Sequence, residues 1–360
     1  MSLQLREPLD RWLAELIRRG GSDLLLVADM PPSIKFEGRV QCLSDPPLRG
    51  EDIERAVLPT LAEYACEEYK RRGVADCSYR NPDLGRFRIN LHRERGRSAA
   101  AVRALPAKTP TLEQLRLPPS TEQLSRLSSG LVIVGGPTGS GKTTTLAALV
   151  NLINQSQARH IVTIEDPIEY EHTHLQSVVE QVEIGVDAVD FPAALRAALR
   201  QAADVIVLGE MRDPETARIA VSAAETGHLV FSTLHTSDVA LTISRIADSF
   251  PNERQNTIRQ ELAMALAAVL TQSLLPSRLG GRVPATELLM MGYGARQHIR
   301  RNALQHLHQE ITITRKAGSF TLEESLSQLV QQGHISREDA RLCARHPDDL
   351  ETILKSAGKA

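Results

Sequence analysis

The chain has 360 residues, a formal net charge of −2 at pH 7, 42% hydrophobic residues and 24% charged residues. This length allows two globular domains that each bury a core, and the nearly neutral charge excludes a general attraction to nucleic acid or to an anionic membrane. No apolar run approaches the ~20 residues that a membrane span requires, and residues 1–8 are too polar for a signal peptide. We therefore expect a cytoplasmic protein without membrane insertion, whose four scattered cysteines form neither a zinc site nor a disulfide framework.

Residues 1–105 have the pattern of an α+β domain. The spacing of apolar residues predicts helices at 9–18 and 51–72, strands at 22–27, 85–91 and 99–105, and a half-buried hairpin at 33–40. In the strand at 85–91, Phe87, Ile89 and Leu91 share one face, and the opposite face is basic. Prolines then break the pattern, so we predict a domain linker over 106–119.

From residue 120 onward, apolar strand-like runs alternate with helical patterns, which is typical of an α/β fold with a parallel sheet covered on both faces. Strands are predicted at 131–134, 161–164, 205–208 and 229–234, and helices at 121–128, 145–150, 191–201 and 214–225. Beyond residue 240 the pattern is mainly helical, with helices predicted at 241–248, 253–274, 294–307, 322–331 and 336–345. We therefore expect an α/β domain over 120–290 and a C-terminal helical region over 291–360.

Residues 136–143 read Gly-Pro-Thr-Gly-Ser-Gly-Lys-Thr, a complete G-x-x-x-x-G-K-T phosphate loop between a predicted strand and a predicted helix. Its glycines allow backbone N–H groups to turn toward phosphate oxygens at the start of the helix. Lys142 is expected to neutralise the β- and γ-phosphates and Thr143 to offer its hydroxyl to Mg²⁺, so the predicted ligands are ATP and Mg²⁺. The residues assigned to nucleotide binding are Gly136, Pro137, Thr138, Gly139, Ser140, Gly141, Lys142, Thr143 and Thr144.

Two carboxylates follow the ends of two later strands, where ligands bind in open α/β sheets. Glu165 follows the strand at 161–164, and we favour it as the general base for an attacking water, with a helix cap or a turn acid as the alternative. Glu210 follows the strand at 205–208 and Gly209, which stands where aspartate is usual. Glu210 is therefore the predicted Mg²⁺ ligand, through water.

Two histidines flank the strand at 229–234. His228 precedes the strand and His235 follows it. A zinc site would need further ligands that the sequence does not supply at motif spacing. We therefore interpret both histidines as hydrogen-bonding sensors of the γ-phosphate.

Taken together, these segments resemble the ordered motifs of the type II/IV secretion ATPases. GPTGSGKTT is similar to their Walker A motif, TIEDPIEY to the Asp box, VIVLGEMRD to Walker B and AAETGHLVFSTLHT to the His box. Within this family the chain looks most like the branch that retracts type IV pili. The likeness extends to GGSDLLLVADMPPSIKFEG and GRFRINLHRERG before the motifs and to GSFTLEESLSQLVQQGHISREDA after them, while the tetra-cysteine zinc motif usual in the other branches is missing.

The resemblance implies a PAS-like α+β domain followed by a RecA-like P-loop NTPase domain with a helical C-terminal extension. It also implies a homo-hexameric ring in which arginines, some from a neighbouring subunit, complete each ATP site. A basic residue that reaches the transferring phosphoryl group contributes ~10³–10⁵ in rate, and the alternative for each arginine is a surface charge. The matching positions are Arg88, Arg95 and Arg103 in the N-terminal domain and Arg196, Arg200 and Arg212 in the ATPase domain.

One segment departs from the retraction branch. That branch typically carries A-I-R-x-L-I-R-E, a segment tied to pulling the pilus, whereas this chain has Gly-Ala-Arg-Gln-His-Ile-Arg-Arg over 294–301. The two arginines and Ile299 remain, but the leucine and the glutamate are replaced. This departure leaves open an accessory retraction ATPase, or a relative recruited to another secretion or conjugation machine.

The sequence therefore predicts an ATPase motor for type IV pilus retraction at the inner face of the inner membrane. Its expected partners are further copies of itself and a platform protein of the pilus, with a paralogous retraction ATPase as another candidate. Two other classes stay open. A nucleotide-binding structural protein is disfavoured by the intact Glu165 and Glu210, and a DNA-pumping motor by the nearly neutral charge and the lack of an aromatic stacking series.

Overall fold

The computed structural model describes residues 7–357. Residues 1–6 and 358–360 lie outside the described residues. The expectation that no signal peptide is present rests mainly on residues 1–6 and therefore also lies outside them. The described chain forms two units. The first contains the residues up to Lys108 together with Asp166–Glu171 and Glu183–Asp187, and the second contains Thr109–Glu165, His172–Val182 and the residues from Ala188 onward.

The first unit is an α+β structure, as the sequence predicts. Its elements up to residue 104 are α1 (Glu7–Arg18), β1 (Asp23–Leu26), β2 (Ser33–Phe36), β3 (Arg39–Cys42), α2 (Gly50–Val57), α3 (Glu63–Arg72), β4 (Val74–Asn81), β5 (Gly85–Glu94) and β6 (Arg97–Ala104). The strands form one antiparallel sheet in the order β3-β2-β1-β6-β5-β4. Phe87, Ile89 and Leu91 on β5 are fully buried, so the predicted apolar face of this strand is confirmed.

Two predictions for the first unit are wrong in detail. The helix expected at 51–72 is two helices, because a 3₁₀ turn at Leu58–Thr60 separates α2 from α3. Pro59 lies in that turn, where its fixed φ and missing N–H cannot continue an α-helix. Strand β4 is absent from the predicted strands, although Ala75, Cys77 and Tyr79 alternate with polar residues and are buried.

The second unit contains the remaining described elements. They are β7 (Gly130–Gly135), α4 (Lys142–Ser156), β8 (His160–Glu165), β9 (Val178–Glu183, whose last residue belongs to the first unit), α5 (Phe191–Ala198), β10 (Val205–Leu208), α6 (Pro214–Glu225), β11 (Leu229–Leu234), α7 (Val239–Asp248), α8 (Asn252–Ala265), β12 (Leu266–Pro276), β13 (Arg282–Met290), α9 (Tyr293–Arg300), α10 (Leu307–Ile313), α11 (Leu322–Gln331), α12 (Arg337–Cys343) and α13 (Pro347–Ala357). The segment predicted as a helix at 121–128 is a 3₁₀ helix at Pro119–Arg126.

A seven-stranded sheet in the order β13-β12-β7-β11-β10-β8-β9 forms the middle of the second unit. The pairs β7–β11, β11–β10 and β10–β8 are parallel, which confirms the predicted α/β arrangement. Every residue of β7, β10 and β11 is buried, as expected for strands covered on both faces.

The helix expected at 253–274 is wrong in its second half. Helix α8 ends at Ala265, and Leu266–Pro276 is strand β12, which pairs in parallel with β7 and antiparallel with β13. The segment reads LAAVLTQSLLP, in which leucine and alanine favour a helix. Burial between two neighbouring strands overrides this weak local preference.

The predicted linker over 106–119 is too long. Leu112 and Leu117 are buried, and they belong to the core of the second unit with Leu124, Val132 and Leu149. Residues from Thr109 onward therefore already belong to the second unit. The C-terminal helices belong to this unit as well, and in the described part of the chain no helix has the length and apolar character needed to cross a bilayer.

Phe231 lies on β11 in the middle of the second sheet and is fully buried. We expect Phe231→Ala to lower the free energy of unfolding of this unit by about 3–5 kcal/mol, because it leaves a cavity that the neighbouring strands cannot fill. The control is Val189→Ala, at a valine that is 87% exposed, and it should stay within about 0.5 kcal/mol of the wild type. Urea unfolding of both variants measures the difference, and equal losses would contradict this account of the core.

Candidate active site

The parallel sheet brings the four sequence motifs to one edge. Strands β7, β11, β10 and β8 are neighbours in that order, and their registers align Gly135 with Leu234 and Leu208 with both Ser232 and Ile164. The residues that follow these strands are the phosphate loop, His235, Gly209 with Glu210, and the strand-ending Glu165. The carboxyl edge of the sheet is therefore the candidate active site, as expected for an open α/β fold.

The phosphate loop has the backbone conformation that its sequence predicts. Gly139 and Gly141 have φ of +77° and +87°, which strongly favour glycine. A Cβ on Gly136 would lie 2.4 Å from the backbone oxygen of Gln272 and 2.4 Å from Ser140 Oγ. Helix α4 begins at Lys142, near the end of the loop sequence, so its first N–H groups point toward the space that the loop encloses.

Lys142 is held over the loop by backbone oxygens. Its Nζ donates hydrogen bonds to the carbonyl oxygens of Gly136 at 2.8 Å and Pro137 at 3.0 Å. The side chain is buried, and this burial lowers the pKa of the Lys142 amine. A phosphate group would supply the negative charge that favours the ammonium form in this buried place.

His235 connects Lys142 to Glu210. Its Nδ1 lies 3.4 Å from Lys142 Nζ and 3.3 Å from Thr138 Oγ1, and its Nε2 lies 3.3 Å from Glu210 Oε2. Because an ammonium group can only donate, Nδ1 is the acceptor, and Nε2 carries the hydrogen and donates to the carboxylate. Burial, followed by the positive charges of Lys142, Arg245 and Arg212, lowers the pKa of His235, so the neutral imidazole is the form favoured here.

The two predicted carboxylates occupy different surroundings. Glu210 is half-buried and forms an ion pair with Arg212 in addition to its contact with His235. Glu165 accepts hydrogen bonds from Thr163 Oγ1 at 2.8 Å and Gln181 Nε2 at 3.3 Å. Both carboxylates are thus fixed by neighbouring side chains, which is compatible with their predicted roles in positioning a water or an ion.

A cavity of about 380 Å³ lies beside the phosphate loop and was not predicted from the sequence. Its lining combines Gly141, Thr144 and Thr145 of the loop and α4 with Arg116, Leu117, Gln272, Leu274 and residues 280–282. Gln272 is buried on β12, donates to the Ser140 carbonyl oxygen at 2.5 Å and accepts from Thr145 Oγ1 at 2.7 Å. No local motif marks Gln272, because its role depends on β12 pairing with β7.

The expectation for His228 needs correction. His228 precedes β11, its carbonyl oxygen accepts from the Gly130 N–H at the start of β7, and its Nδ1 donates to the Ala223 carbonyl oxygen at 3.0 Å. The six residues of β11 separate it from His235 by roughly 20 Å. It therefore cannot contact a phosphate held by the loop of its own chain, and its local hydrogen bonds give it a structural role.

The six predicted arginines all have acidic partners or lie at the surface. In the first unit, Arg88 pairs with Asp76 at 3.5 Å, Arg95 with Glu94 at 3.0 Å and Arg103 with Asp23 at 2.9 Å. In the second unit, Arg196 pairs with Glu215, Arg212 pairs with Glu210, and Arg200 is exposed after α5. Of these, Arg212 contacts the predicted carboxylate Glu210, and a role for any of the six in completing an ATP site stays a prediction.

The residues of the loop fit the predicted nucleotide and Mg²⁺. Ser140 Oγ is buried, and within residues 7–357 it has no hydrogen-bond partner, so it can donate to a phosphate oxygen. Thr143 and Glu210 supply a hydroxyl and a carboxylate, the oxygen ligands that Mg²⁺ prefers. These two residues are the candidates for holding the ion.

The contacts of Gln272 generate a prediction about nucleotide affinity. We expect Gln272→Ala to weaken ADP binding about tenfold, because the loop loses both hydrogen bonds that fix Ser140 and Thr145. Gln272→Glu should weaken it further, because a carboxylate would face the Ser140 carbonyl oxygen without a donor. Isothermal titration with ADP measures both variants, and Gln255→Ala, which lies on α8 away from the loop, is the matched control. Unchanged affinity in Gln272→Glu would remove this residue from the support of the loop.

Comparison with known proteins agrees with the family that the motifs resemble. Residues 97–279 match the model of the family described as type II/IV secretion system protein, which is about half of the chain. The chain is 39% identical to the type IV pilus retraction ATPase PilT of Pseudomonas aeruginosa over 94% of this chain and 98% of that protein. It is 36% identical to the type IV pilus ATPase PilU of the same organism over 96% of this chain and 91% of that protein.

A solved structure of the pilus retraction motor PilT with bound ADP has a TM-score of 0.87 to this chain, with 42% sequence identity, and covers 98% of this chain and 100% of that one. This likeness spans both units and includes the phosphate loop. The chain therefore belongs to the type II/IV secretion system protein family and is an ATPase.

Proposed function

We propose that this ATPase drives retraction of type IV pili. The observation that carries the proposal is the continuous contact from Lys142 through neutral His235 to Glu210 at the carboxyl edge of the sheet, in a chain similar over nearly its whole length to PilT. A protein that bound nucleotide without hydrolysing it would not need two carboxylates at this edge. The proposed substrate is ATP, and its hydrolysis supplies the work of pilus disassembly.

The proposed chemistry is mainly positioning and charge stabilisation. Backbone N–H groups of the loop and Lys142 hold the phosphates, and Ser140 Oγ donates to a phosphate oxygen. Glu165 orients the attacking water and accepts its proton. Mg²⁺, held by Thr143 and Glu210, would neutralise the charge on the phosphate oxygens. The Nε2–H of His235 already donates to Glu210. Nδ1 of His235 is therefore the atom that senses the change in charge that ATP hydrolysis causes near Lys142.

The proposed assembly is a homo-hexamer at the inner face of the inner membrane, where the ring contacts the platform protein of the pilus. Arg88, Arg95 and Arg103 are proposed to complete a neighbour's site, and Arg196, Arg200 and Arg212 to act within the same subunit. The surface ion pairs of Arg95 and Arg103 can exchange a carboxylate for a phosphate at little cost, since such exposed pairs contribute about 0–1 kcal/mol.

An accessory retraction ATPase is the second candidate function. The likeness to PilU gives one reason, and the segment at 294–301 gives another. Arg296 on α9 donates to the carbonyl oxygens of Ala263 and Met264, and Arg300 contacts Met264 Sδ at 2.8 Å, so both retained arginines are used in holding the end of α8. His298, where the retraction branch typically has leucine, lies 3.4 Å from Glu310 instead.

A first experiment separates catalysis from pilus function. We expect Glu165→Gln to lower the turnover of ATP by about 10²–10⁴-fold while ADP binding stays intact, because a proposed general base is lost and the phosphate loop is not. Glu253→Gln, at an exposed position on α8, is the matched control. Phosphate release by the purified chain measures turnover, and unchanged turnover in Glu165→Gln would assign the base to another residue.

The same variants test the proposed function in cells. A strain without the gene should lose pilus-dependent surface motility and carry excess pili, and both should be restored by the wild type and by Glu253→Gln but not by Glu165→Gln. Loss of motility that a paralogous ATPase can restore would favour the accessory role. Normal pili and normal motility in the deleted strain would contradict a function in retraction and leave the ATPase activity standing.

The pKa of His235 generates a prediction for the pH dependence of turnover. We expect ATP hydrolysis to stay constant as the pH falls through the ordinary imidazole value of about 6.5 and to decline only below it, because burial and nearby cations lower the pKa of His235. Below that pKa, a proton on Nδ1 would face the Lys142 ammonium group and break their contact.

Phosphate release between pH about 5 and about 8 measures this profile. His235→Gln keeps a polar side chain that does not titrate, so its decline at low pH should be weaker. His306→Gln, at a histidine distant from the loop in the sequence and on the short turn before α10, should keep the wild-type profile. Identical profiles for all three proteins would show that His235 does not titrate in the rate-limiting step.

A further inference from the structure

We propose that His308, His346 and Asp349 form a binding site for a divalent transition-metal ion of the zinc class. Each residue offers one ligand atom, and the three atoms lie within 4.8 Å of one another. His308 is on α10, His346 directly precedes α13, and Asp349 is in the first turn of α13. An ion bound there would join two helices of the C-terminal region that are about 40 residues apart in the chain.

The spacing of these side chains is close to that of a bound site. The three ligand atoms all lie within 4.8 Å of one another, and His308 Nε2 lies 3.6 Å from Asp349 Oδ2. Ligand atoms around tetrahedral Zn²⁺ are separated by about 3.3 Å, given metal–ligand distances of about 2.0–2.1 Å. Small rotations of side chains that are half-buried or exposed are enough to close the difference.

The backbone beneath these ligands is anchored. Glu323 on α11 is 1% exposed, and its Oε1 accepts from the His346 N–H at 2.9 Å and from the Arg345 N–H at 3.0 Å. Next to Asp349, Leu350 is fully buried in the core shared with α11 and α12. Leu307 and Ile311 likewise bury the inner face of α10. The ligands therefore start from fixed positions, which reduces the entropy lost when an ion binds.

The ligand set selects the class of ion. Two imidazole nitrogens and one carboxylate suit Zn²⁺ and its neighbours among the first-row divalent ions, whereas Mg²⁺ and Ca²⁺ prefer oxygen ligands only. The N-terminal end of a helix disfavours a cation, but Asp348 and Asp349 place two negative charges in the first turn of α13. With three protein ligands, the fourth position is open to water.

The experiment is a titration of Zn²⁺ into the full chain after chelator treatment and without nucleotide, in competition with a chromophoric zinc chelator. We expect one zinc ion per chain with the highest affinity, and a loss of at least about tenfold in that affinity in His308→Ala and in Asp349→Asn. His306→Ala, in the turn immediately before α10, removes a neighbouring histidine that is not one of the three ligands and should keep the affinity. A large excess of Mg²⁺ should not displace the zinc.

Two further measurements keep the proposal falsifiable. Circular dichroism checks that each variant is folded, and zinc should raise the midpoint of thermal unfolding in the wild type and in His306→Ala but not in His308→Ala. Equal zinc affinity in the wild type and in both ligand variants would overturn the site. Zinc that binds at one ion per two chains, with a larger particle in sedimentation, would also overturn it, because the ion would then join copies instead of two helices of one chain.

Discussion

Parallel pairing of β7, β11, β10 and β8 is the constraint on which the candidate active site depends. In a parallel sheet all strands run in the same direction, so the residues that follow the strands all lie at one edge of the sheet. The registers that align Gly135 with Leu234 and Leu208 with Ile164 fix the order of the motifs along that edge. Backbone hydrogen bonds between the strands therefore place the phosphate loop, His235, Glu210 and Glu165 at the same edge, independently of contacts between their side chains. The same constraint explains why His228, on the other end of β11, is excluded from the loop of its own chain.

The protonation state of His235 follows from its position between charged groups. The nearest cation, Lys142, can only donate, and the nearest anion, Glu210, can only accept, so a neutral imidazole with its hydrogen on Nε2 satisfies both. A charged imidazole would satisfy Glu210 but oppose Lys142, Arg245 and Arg212, and these cations add to the effect of burial on the pKa of His235. The histidine thus links Lys142 of the phosphate loop to the carboxylate of Glu210, which follows the neighbouring strand β10. A change of charge near Lys142 therefore acts directly on a side chain that contacts Glu210.

Much of the candidate site could be predicted from the sequence, because its parts are contiguous motifs at the ends of apolar strands. The phosphate loop is one run of eight residues, and its glycines, Lys142 and Ser140 take the positions that the pattern predicts. Gln272 and the cavity beside it could not be predicted, since β12 has the composition of a helix and becomes a strand only through pairing with β7 and β13. The three proposed metal ligands were missed for the same reason. His308 is 38 positions before His346, and only the packing of α10 near α13 brings them together.

Burial distinguishes arginines that can change partners from those that cannot. On β5, Arg86 is 11% exposed, donates to the Ile168 carbonyl oxygen at 2.7 Å and lies 3.3 Å from Glu171, so moving it would leave buried polar groups unsatisfied. Arg103 on β6 is 65% exposed, and its pair with Asp23 is screened by water. Arginines of β5 and β6 that look alike in the sequence therefore differ in how firmly they are held. Arg86 stabilises the first unit by keeping Asp166–Glu171 on its sheet, whereas Arg103 can give up its partner for a phosphate with little loss of stability.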